Sequence, residues 1–153
     1  MTVRPIDSRD VEAILAIQRS SPEVAQWNAP DYVRAVAGDM AGWVTDDNGV
    51  VSGFLIARLA AGDLEILNFA VRADVRRRGL GAALLREVLS WGAAQHAQRA
   101  LLEVRASNRV ALDFYGRYGF RTAGRRPRYY VAPVDDALLL TAEIASLAGN
   151  MQL

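Results

Sequence analysis

The stretch Arg76-Arg77-Arg78-Gly79-Leu80-Gly81 decides the fold, because it joins a strand-like run to an amphipathic one. Residues 64–71 before it are rich in aliphatic and aromatic side chains, and Leu80, Leu84 and Val88 after it recur four residues apart. That spacing predicts a helix with one buried stripe. A helix start after a glycine turn favours anions, because its first N–H groups are unpaired and its dipole is positive there. The stretch therefore predicts a phosphate-binding turn, although a surface turn without a ligand also fits it.

The composition indicates one globular domain over residues 1–153. Hydrophobic residues make up 52% and charged residues 23%, which argues against disorder. The formal net charge is only +1, so bulk charge gives no reason to expect nucleic acid as a partner. The start of the chain shows no apolar signal core and no apolar run reaches the length of a membrane span, so we expect a cytoplasmic protein without a membrane partner.

Several kinds of site are disfavoured by residue type. The chain has no cysteine and a single histidine, His96, which leaves little for a thiolate nucleophile, a serine triad or a zinc cluster. We therefore expect no metal. The lysine-containing phosphate loop and the G-x-G-x-x-G dinucleotide motif are also absent.

The remaining elements follow from patterning and turn residues. Strands are predicted over residues 2–6, 43–45, 50–59, 64–71, 99–104, 120–125 and 137–144. Helices are predicted after a cap at Asp7 or Ser8, over 31–39, from 80 to about 94, and over 109–118 after Asn108. Asn48-Gly49 marks a hairpin, and the strand at 99–104 should lie parallel to the one at 64–71.

The apolar phase changes inside the strand at 64–71. Leu64 and Ile66 are even-numbered, whereas Phe69 and Val71 are odd-numbered. A slip of one residue predicts a β-bulge, which would free backbone groups for a ligand. A strand buried on both faces also fits, because it needs no alternation.

Two polar residues beyond the turn are candidates for chemistry. Glu103 stands near the carboxyl end of an apolar strand, where ligands bind in parallel sheets, although a solvated rim position also fits. Tyr115 lies on the next predicted helix, and alone it would be assigned to the core.

Together these segments resemble the GNAT acetyltransferase superfamily. Asn68-Phe69-Ala70-Val71 followed by residues 76–81 is similar to its acetyl-CoA motif. Leu102-Glu103-Val104-Arg105-Ala106-Ser107-Asn108, then Phe114 to Phe120 and the pair Tyr129-Tyr130, resemble the bacterial ribosomal-protein-alanine N-acetyltransferase branch.

The resemblance implies an α/β (α+β) fold: a mixed, mostly antiparallel twisted sheet of six to seven strands with about four helices, two central parallel strands splaying around the acetyl-CoA site. It implies Glu103 as general base and Tyr115 as general acid. The implied coenzyme contacts are Phe69, Ala70, Val71, Arg76, Arg77, Arg78, Gly79, Leu80, Gly81, Ala82 and Asn108. Trp27, Tyr129 and Tyr130 would border the acceptor, although Asn108 also suits a helix cap and the tyrosine pair an aromatic loop packed on the core.

The implied reaction is acetyl transfer from acetyl-CoA to the N-terminal alanine of a protein, such as a small-subunit ribosomal protein. The chain departs from the branch at Ala25-Gln26-Trp27-Asn28, where Phe-Pro-Trp-Ser or similar is common, so acceptor choice is the open point. A GNAT enzyme acting on a small amine or a lysine side chain keeps the same coenzyme motif. A non-catalytic acyl-CoA-binding module is the third alternative. The oligomeric state is left open.

Overall fold

The computed structural model describes residues 1–151, which form one seven-stranded sheet with helices on both faces. The strands are β1 (Thr2–Pro5), β2 (Ala41–Asp47), β3 (Val50–Ala60), β4 (Asp63–Val71), β5 (Arg99–Arg105), β6 (Arg121–Val131) and β7 (Val134–Glu143). The helices are α1 (Val11–Arg19), α2 (Ala29–Arg34), α3 (Leu80–Ala94), α4 (Arg109–Arg117) and α5 (Ile144–Met151). The strand order is β1-β2-β3-β4-β5-β7-β6, and neighbours are antiparallel except for β4 and β5. The expected mixed, mostly antiparallel sheet is confirmed.

The two hairpins before β4 are closed by two-residue turns. Asn48 and Gly49 have φ angles of 53° and 90°, and Ala61 and Gly62 have 52° and 83°. Positive φ at both central residues gives the turn whose twist matches that of paired strands. The expected Asn-Gly hairpin is confirmed.

Two separate hydrophobic cores cover the faces of the sheet. On one face α3 buries Leu84, Leu85, Val88 and Leu89 against the central strands. On the other face α1 and α2 pack on β2 and β3, with Ile14, Tyr32 and Phe54 fully buried. We call these the α3 face and the α1 face.

A bulge in β4 confirms the phase slip seen in the sequence. Ile56 pairs with Asn68 while its neighbour Ala57 pairs with Ile66, so Leu67 is the extra residue. Leu64 and Ile66 before the bulge, and Phe69 and Val71 after it, all pack toward the α3 face. Both faces of β4 are also covered, because Ala70 belongs to the core of the α1 face.

The parallel strands β4 and β5 separate soon after they meet. Their pairing covers only residues 63–65 of β4 and 99–101 of β5. Beyond Leu101, β5 stays paired with β7 up to Arg105. The bulge bends β4 away at the same level, and the two strands therefore splay into a gap, as the resemblance implied.

The largest differences from expectation concern α5, β6 and α2, whereas β2 and β7 extend two and three residues beyond their predicted starts. No helix was predicted after β7, yet α5 buries Ile144 and Leu147 in the core of the α3 face; β-branched Ile144 reads locally as the end of a strand. β6 continues to Val131 instead of 125, because two register shifts interrupt its alternation. α2 begins at Ala29 because Asn28 forms a capping box with Asp31, and its chain continues as a wide turn to Gly38.

Candidate active site

The start of α3 forms a backbone cradle with no side-chain cap. Gly79 has a φ of 81°, a left-handed conformation that favours glycine, and the first helical bond runs from Ala83 N–H to Gly79 O at 3.0 Å. The N–H groups of Leu80, Gly81 and Ala82 precede that bond. Within residues 1–151 no side chain caps the start of α3 at Gly79, whereas the side chains of Asn28 and Asn108 cap α2 and α4. The partly exposed first turn of α3, free of acidic residues, fits a diphosphate.

The three arginines of the turn have different environments. Arg77 and Arg78 are exposed and form no ion pair in the described part of the chain, so their charges face solvent beside the cradle. Arg76 instead points along β4: its Nε donates to Val71 O at 2.9 Å and one terminal nitrogen to Ser21 Oγ at 3.0 Å. Arg76 therefore joins the end of β4 to the segment that follows α1.

An aromatic wall borders the gap beside the cradle. A methyl group added at Gly81 would lie 3.6 Å from the rings of Phe114 and Phe69. Those two rings pack edge to face with centroids 5.9 Å apart, and Tyr115 follows at 5.3 Å from Phe114. The cradle, the end of β4 and α4 thus converge on one side of the gap.

The backbone of β4 beyond the bulge presents alternate residues to the gap. Arg72 N–H donates to Ser52 O of β3 at 2.7 Å. Because backbone groups alternate along a strand, the N–H and C=O of Ala70, two residues earlier, also face β3. Those of Phe69 and Val71 face away from β3. Phe69 N–H donates to its neighbour Asn68 Oδ1 at 3.1 Å, and Val71 O accepts from Arg76. Of the three residues predicted to contact the coenzyme through their backbone, Phe69 and Val71 therefore face the gap and Ala70 faces β3.

Glu103 lies two residues beyond Leu101, the last residue of β5 that pairs with β4, and its side chain is on the α1 face. Its neighbours Leu102 and Val104 are buried in the core of the α3 face, so the side chain between them points to the opposite face. The carboxylate faces Arg126, with Oε1 3.4 Å from a guanidinium nitrogen. The side chain of Glu103 is 30% exposed and that of Arg126 is 61% exposed, which places the pair at the surface of the site.

Tyr115 lies in the core of the α3 face. Its ring packs against Phe69, Phe114 and Phe120, with the first centroid 6.3 Å away and the other two 5.3 Å away. Burial raises the pKa of Tyr115, so its hydroxyl stays protonated at neutral pH and is available as a donor. Asn108 caps α4, where its Oδ1 accepts from Ala111 N–H at 3.2 Å; its role as a helix cap is confirmed.

Tyr129 and Tyr130 lie on β6, not on a loop. Their rings are 5.1 Å apart and meet edge to face. The guanidinium of Arg105 lies over Tyr130 at 4.1 Å and that of Arg126 over Tyr129 at 5.6 Å. Burial, and next the negative charge of Glu103, raise the pKa of Tyr130. The pair therefore stands beside Glu103 at the end of the β6–β7 hairpin.

Trp27 lies in the segment between α1 and α2 and packs on Tyr32 with centroids 5.2 Å apart. Its carbonyl accepts from Gln18 Nε2 at 2.7 Å. Tyr32 and Gln18 connect in turn to Asn68 at the bulge. Sequence reasoning assigned no role to these three polar residues and quoted Asn68 only as the first residue of the segment similar to the acetyl-CoA motif; an amide in the middle of an apolar strand was the available signal for it.

Among residues 1–151 no group of three or more His, Asp or Glu side chains is placed to hold a metal ion. A separate depression of about 430 Å³ lies at the other end of β5 and β7. It is lined by Ala97, Gln98, Arg99, Glu143 and Ala145. In the described part of the chain no helix has the length and apolarity to span a membrane.

Comparisons with known proteins agree with this geometry. The chain matches the Acetyltransferase (GNAT) family over residues 10–120. A protein of Bacillus subtilis named putative [ribosomal protein bS18]-alanine N-acetyltransferase is 28% identical over 144 residues, covering 93% of this chain and 95% of that protein. The [ribosomal protein bS18]-alanine N-acetyltransferase of Escherichia coli K12 is 26% identical over 146 residues, covering 94% and 98%. The crystal structure of the ribosomal-protein-S18-alanine N-acetyltransferase from Escherichia coli superposes with a TM-score of 0.83 at 26% identity, covering 94% of this chain and 93% of that one.

Proposed function

The chain belongs to the Acetyltransferase (GNAT) family, and we propose that it transfers acetyl from acetyl-CoA to the α-amino group of a protein that begins with alanine. Two relatives that align along nearly their whole length are named as alanine N-acetyltransferases of ribosomal protein bS18. A ribosomal protein N-terminus is accordingly the proposed acceptor. Because such proteins are made in the cytoplasm, that is the proposed compartment.

The observation that carries the proposal is the division of the predicted residues between the two sides of one gap. The cradle at Gly79, the aromatic wall and Tyr115 lie toward the α3 face. Glu103 points to the α1 face, beside the tyrosine pair of β6 and on the face where Trp27 packs. A donor and an acceptor that enter from opposite faces would meet where β4 and β5 separate.

The donor side suits the parts of acetyl-CoA. The diphosphate would accept from the N–H groups of Leu80, Gly81 and Ala82, with Arg77 and Arg78 adding positive charge. The pantetheine arm would lie along β4 as an added strand, bonding to the backbone C=O of Phe69 and N–H of Val71, since Phe69 N–H and Val71 O already bond to side chains. Asn108, at the start of α4, would contact the coenzyme with the polar atoms that its cap leaves unused.

Glu103 is proposed to remove the proton that blocks the attack. An α-ammonium has a pKa near 8 and a lysine one near 10.4, so deprotonation at pH 7 costs about 1.4 and 4.6 kcal/mol respectively. One surface carboxylate suffices for the former. The free amine then attacks the thioester carbonyl, forming the C–N bond.

Tyr115 is proposed to complete the exchange. As the tetrahedral intermediate collapses, the C–S bond breaks and CoA leaves as a thiolate with a pKa of about 8.5. The buried hydroxyl of Tyr115 donates its proton to that sulfur, and the second proton that the new amide nitrogen loses returns to the tyrosine oxygen, whose raised pKa favours the protonated form. The proton taken earlier by Glu103 passes to solvent. Because a tyrosine is a weaker acid than a thiol, its contribution is modest, and most of the rate comes from holding amine and thioester together.

CoA release with four acceptors tests the proposal. These are a short peptide that begins with alanine, free alanine, spermidine, and a variant of that peptide whose N-terminus is blocked and which carries an internal lysine. We expect the first to be the best substrate by at least tenfold, because a groove lined by Trp27, Tyr129 and Tyr130 binds peptide groups that free alanine lacks. A preference for spermidine or for the lysine peptide would overturn the choice of acceptor. Acetyl-CoA binding without turnover of any amine would indicate a non-catalytic module.

A further inference from the structure

Asn68 bonds to both sides of the gap. It is buried, directly after the extra residue of the β4 bulge. Its Nδ2 donates to Ala25 O at 3.0 Å and to Tyr32 Oη at 2.9 Å, while its Oδ1 accepts from Phe69 N–H at 3.1 Å. One side chain thus contacts the strand that faces the donor and the segment that carries Trp27.

The contacts continue through two further buried residues. Tyr32 donates its hydroxyl to Gln18 Oε1, and Gln18 Nε2 donates to Trp27 O at 2.7 Å. Burial raises the pKa of Tyr32, so this hydroxyl stays protonated and can donate across the neutral range. Asn68, Tyr32 and Gln18 form one continuous chain of hydrogen bonds from the bulge to Trp27.

These bonds hold the main chain of the segment between α1 and α2. Its carbonyls at residues 25 and 27 are the acceptors, so the path of the segment does not depend on which side chains it carries. This is the stretch in which Ala25 and Gln26 stand where the family branch commonly has Phe-Pro. Arg76 adds a second attachment, because it joins Val71 O to Ser21 Oγ.

We propose that Asn68, through Tyr32 and Gln18, is a positioning residue that fixes residues 21–28 against β4 and thereby sets the approach of the acceptor amine to the thioester. The assignment of this segment to the acceptor rests on the proposed function. A segment without regular structure needs such bonds to stay in place. Displacements of about 1 Å between reactants can cost about a hundredfold in rate.

Tyr32→Phe and Asn68→Ala test the proposal. Tyr32→Phe removes only the hydroxyl and keeps the ring against Trp27 and Phe54. The matched control is Asp10→Asn, which weakens another buried polar contact, made to Arg4 and to the backbone of Asp7. The readouts are amide hydrogen exchange of residues 21–28 in the free protein, acetyl-CoA affinity by calorimetry, and acceptor kcat/KM.

We expect both test variants to speed exchange in residues 21–28 by roughly tenfold or more, because Tyr32→Phe removes two buried hydrogen bonds of this chain and Asn68→Ala removes three. Tyr32→Phe should lower acceptor kcat/KM by roughly tenfold and change acetyl-CoA affinity less than threefold, because it leaves the bond from Asn68 to Phe69 intact. Asn68→Ala should lower both the acceptor kcat/KM and the affinity for acetyl-CoA, because it also removes the bond to Phe69 N–H. Asp10→Asn should lower the Tm but leave the exchange of residues 21–28, the acceptor kcat/KM and the acetyl-CoA affinity unchanged.

Unchanged exchange in both test variants would overturn the proposal, as would equal losses of acceptor kcat/KM in Asp10→Asn. The exchange measurement needs no substrate. An error in the proposed acceptor would therefore leave the exchange result standing and appear only as missing turnover of the alanine peptide.

Discussion

Replacing Glu103 by glutamine separates the chemistry of the site from its stability. The amide keeps the shape of the side chain but cannot take a proton, so we expect kcat/KM for an alanine peptide at pH 7 to fall by roughly 10²–10⁴. That loss corresponds to about 2.7–5.5 kcal/mol of transition-state stabilisation.

The structure limits what the same substitution can do to folding. Glu103 contributes one ion pair, to Arg126 at 3.4 Å, with side chains 30% and 61% exposed. Pairs this accessible contribute about 0–1 kcal/mol, which for a chain of this size is a Tm change of at most about 4 °C. Arg126→Gln breaks the same pair and keeps the carboxylate, so it is the matched control.

The pH dependence supplies a second criterion. Without the carboxylate, the reaction depends on amine that is already neutral, a fraction of about 9% at pH 7 and about 91% at pH 9 for a pKa of 8. The ratio of wild-type to variant rate should therefore shrink by about tenfold between these pH values. Steady-state kinetics and thermal unfolding measure both quantities. A Glu103→Gln variant as active as the wild type at pH 7, or a loss matched by Arg126→Gln, would refute the role of base.

Three further substitutions test the other parts of the site. Gly81→Val should leave the circular dichroism spectrum unchanged, because its Cβ fits at 3.6 Å from the nearest rings, but should weaken acetyl-CoA by more than tenfold in calorimetry; wild-type affinity would exclude the cradle. Tyr115→Phe should lower kcat modestly, because it removes only the proposed proton donor, and should leave the KM values of the peptide and of acetyl-CoA unchanged. Because burial raises the pKa of Tyr115, wild-type rates followed to about pH 10 should show no decline from tyrosine ionisation, and a decline below pH 9 would contradict this. Tyr130→Ala should raise the KM of the peptide and not that of acetyl-CoA, and the reverse pattern would place this residue on the donor side.

The centre of the fold could be predicted from the sequence because its causes are local. Branched side chains, a glycine that takes positive φ and an apolar stripe four residues apart define β4, the turn and α3. The bulge could be predicted as well, since the change of phase between Ile66 and Phe69 requires one extra residue.

Features that depend on distant partners could not be predicted. Asn68 bonds to Ala25, 43 positions away, and nothing in the strand itself indicates that contact. Arg76, Arg77 and Arg78 are equivalent as sequence, yet the structure turns only the first toward Val71 and Ser21. The helix α5 is stabilised by burying Ile144 and Leu147 in a core that the sequence does not reveal.

Locating the acetyl group by tandem mass spectrometry tests the central claim most directly. The substrate is one peptide with a free N-terminal alanine and an internal lysine, incubated with acetyl-CoA and either the wild type or Glu103→Gln. The protein itself has no lysine, so every acetyl-lysine detected comes from the peptide. The proposed function predicts acetylation of the alanine α-amine alone, and at least a hundredfold less of it with the variant. Acetylation of the lysine side chain, or equal α-amine acetylation by both proteins, would contradict it.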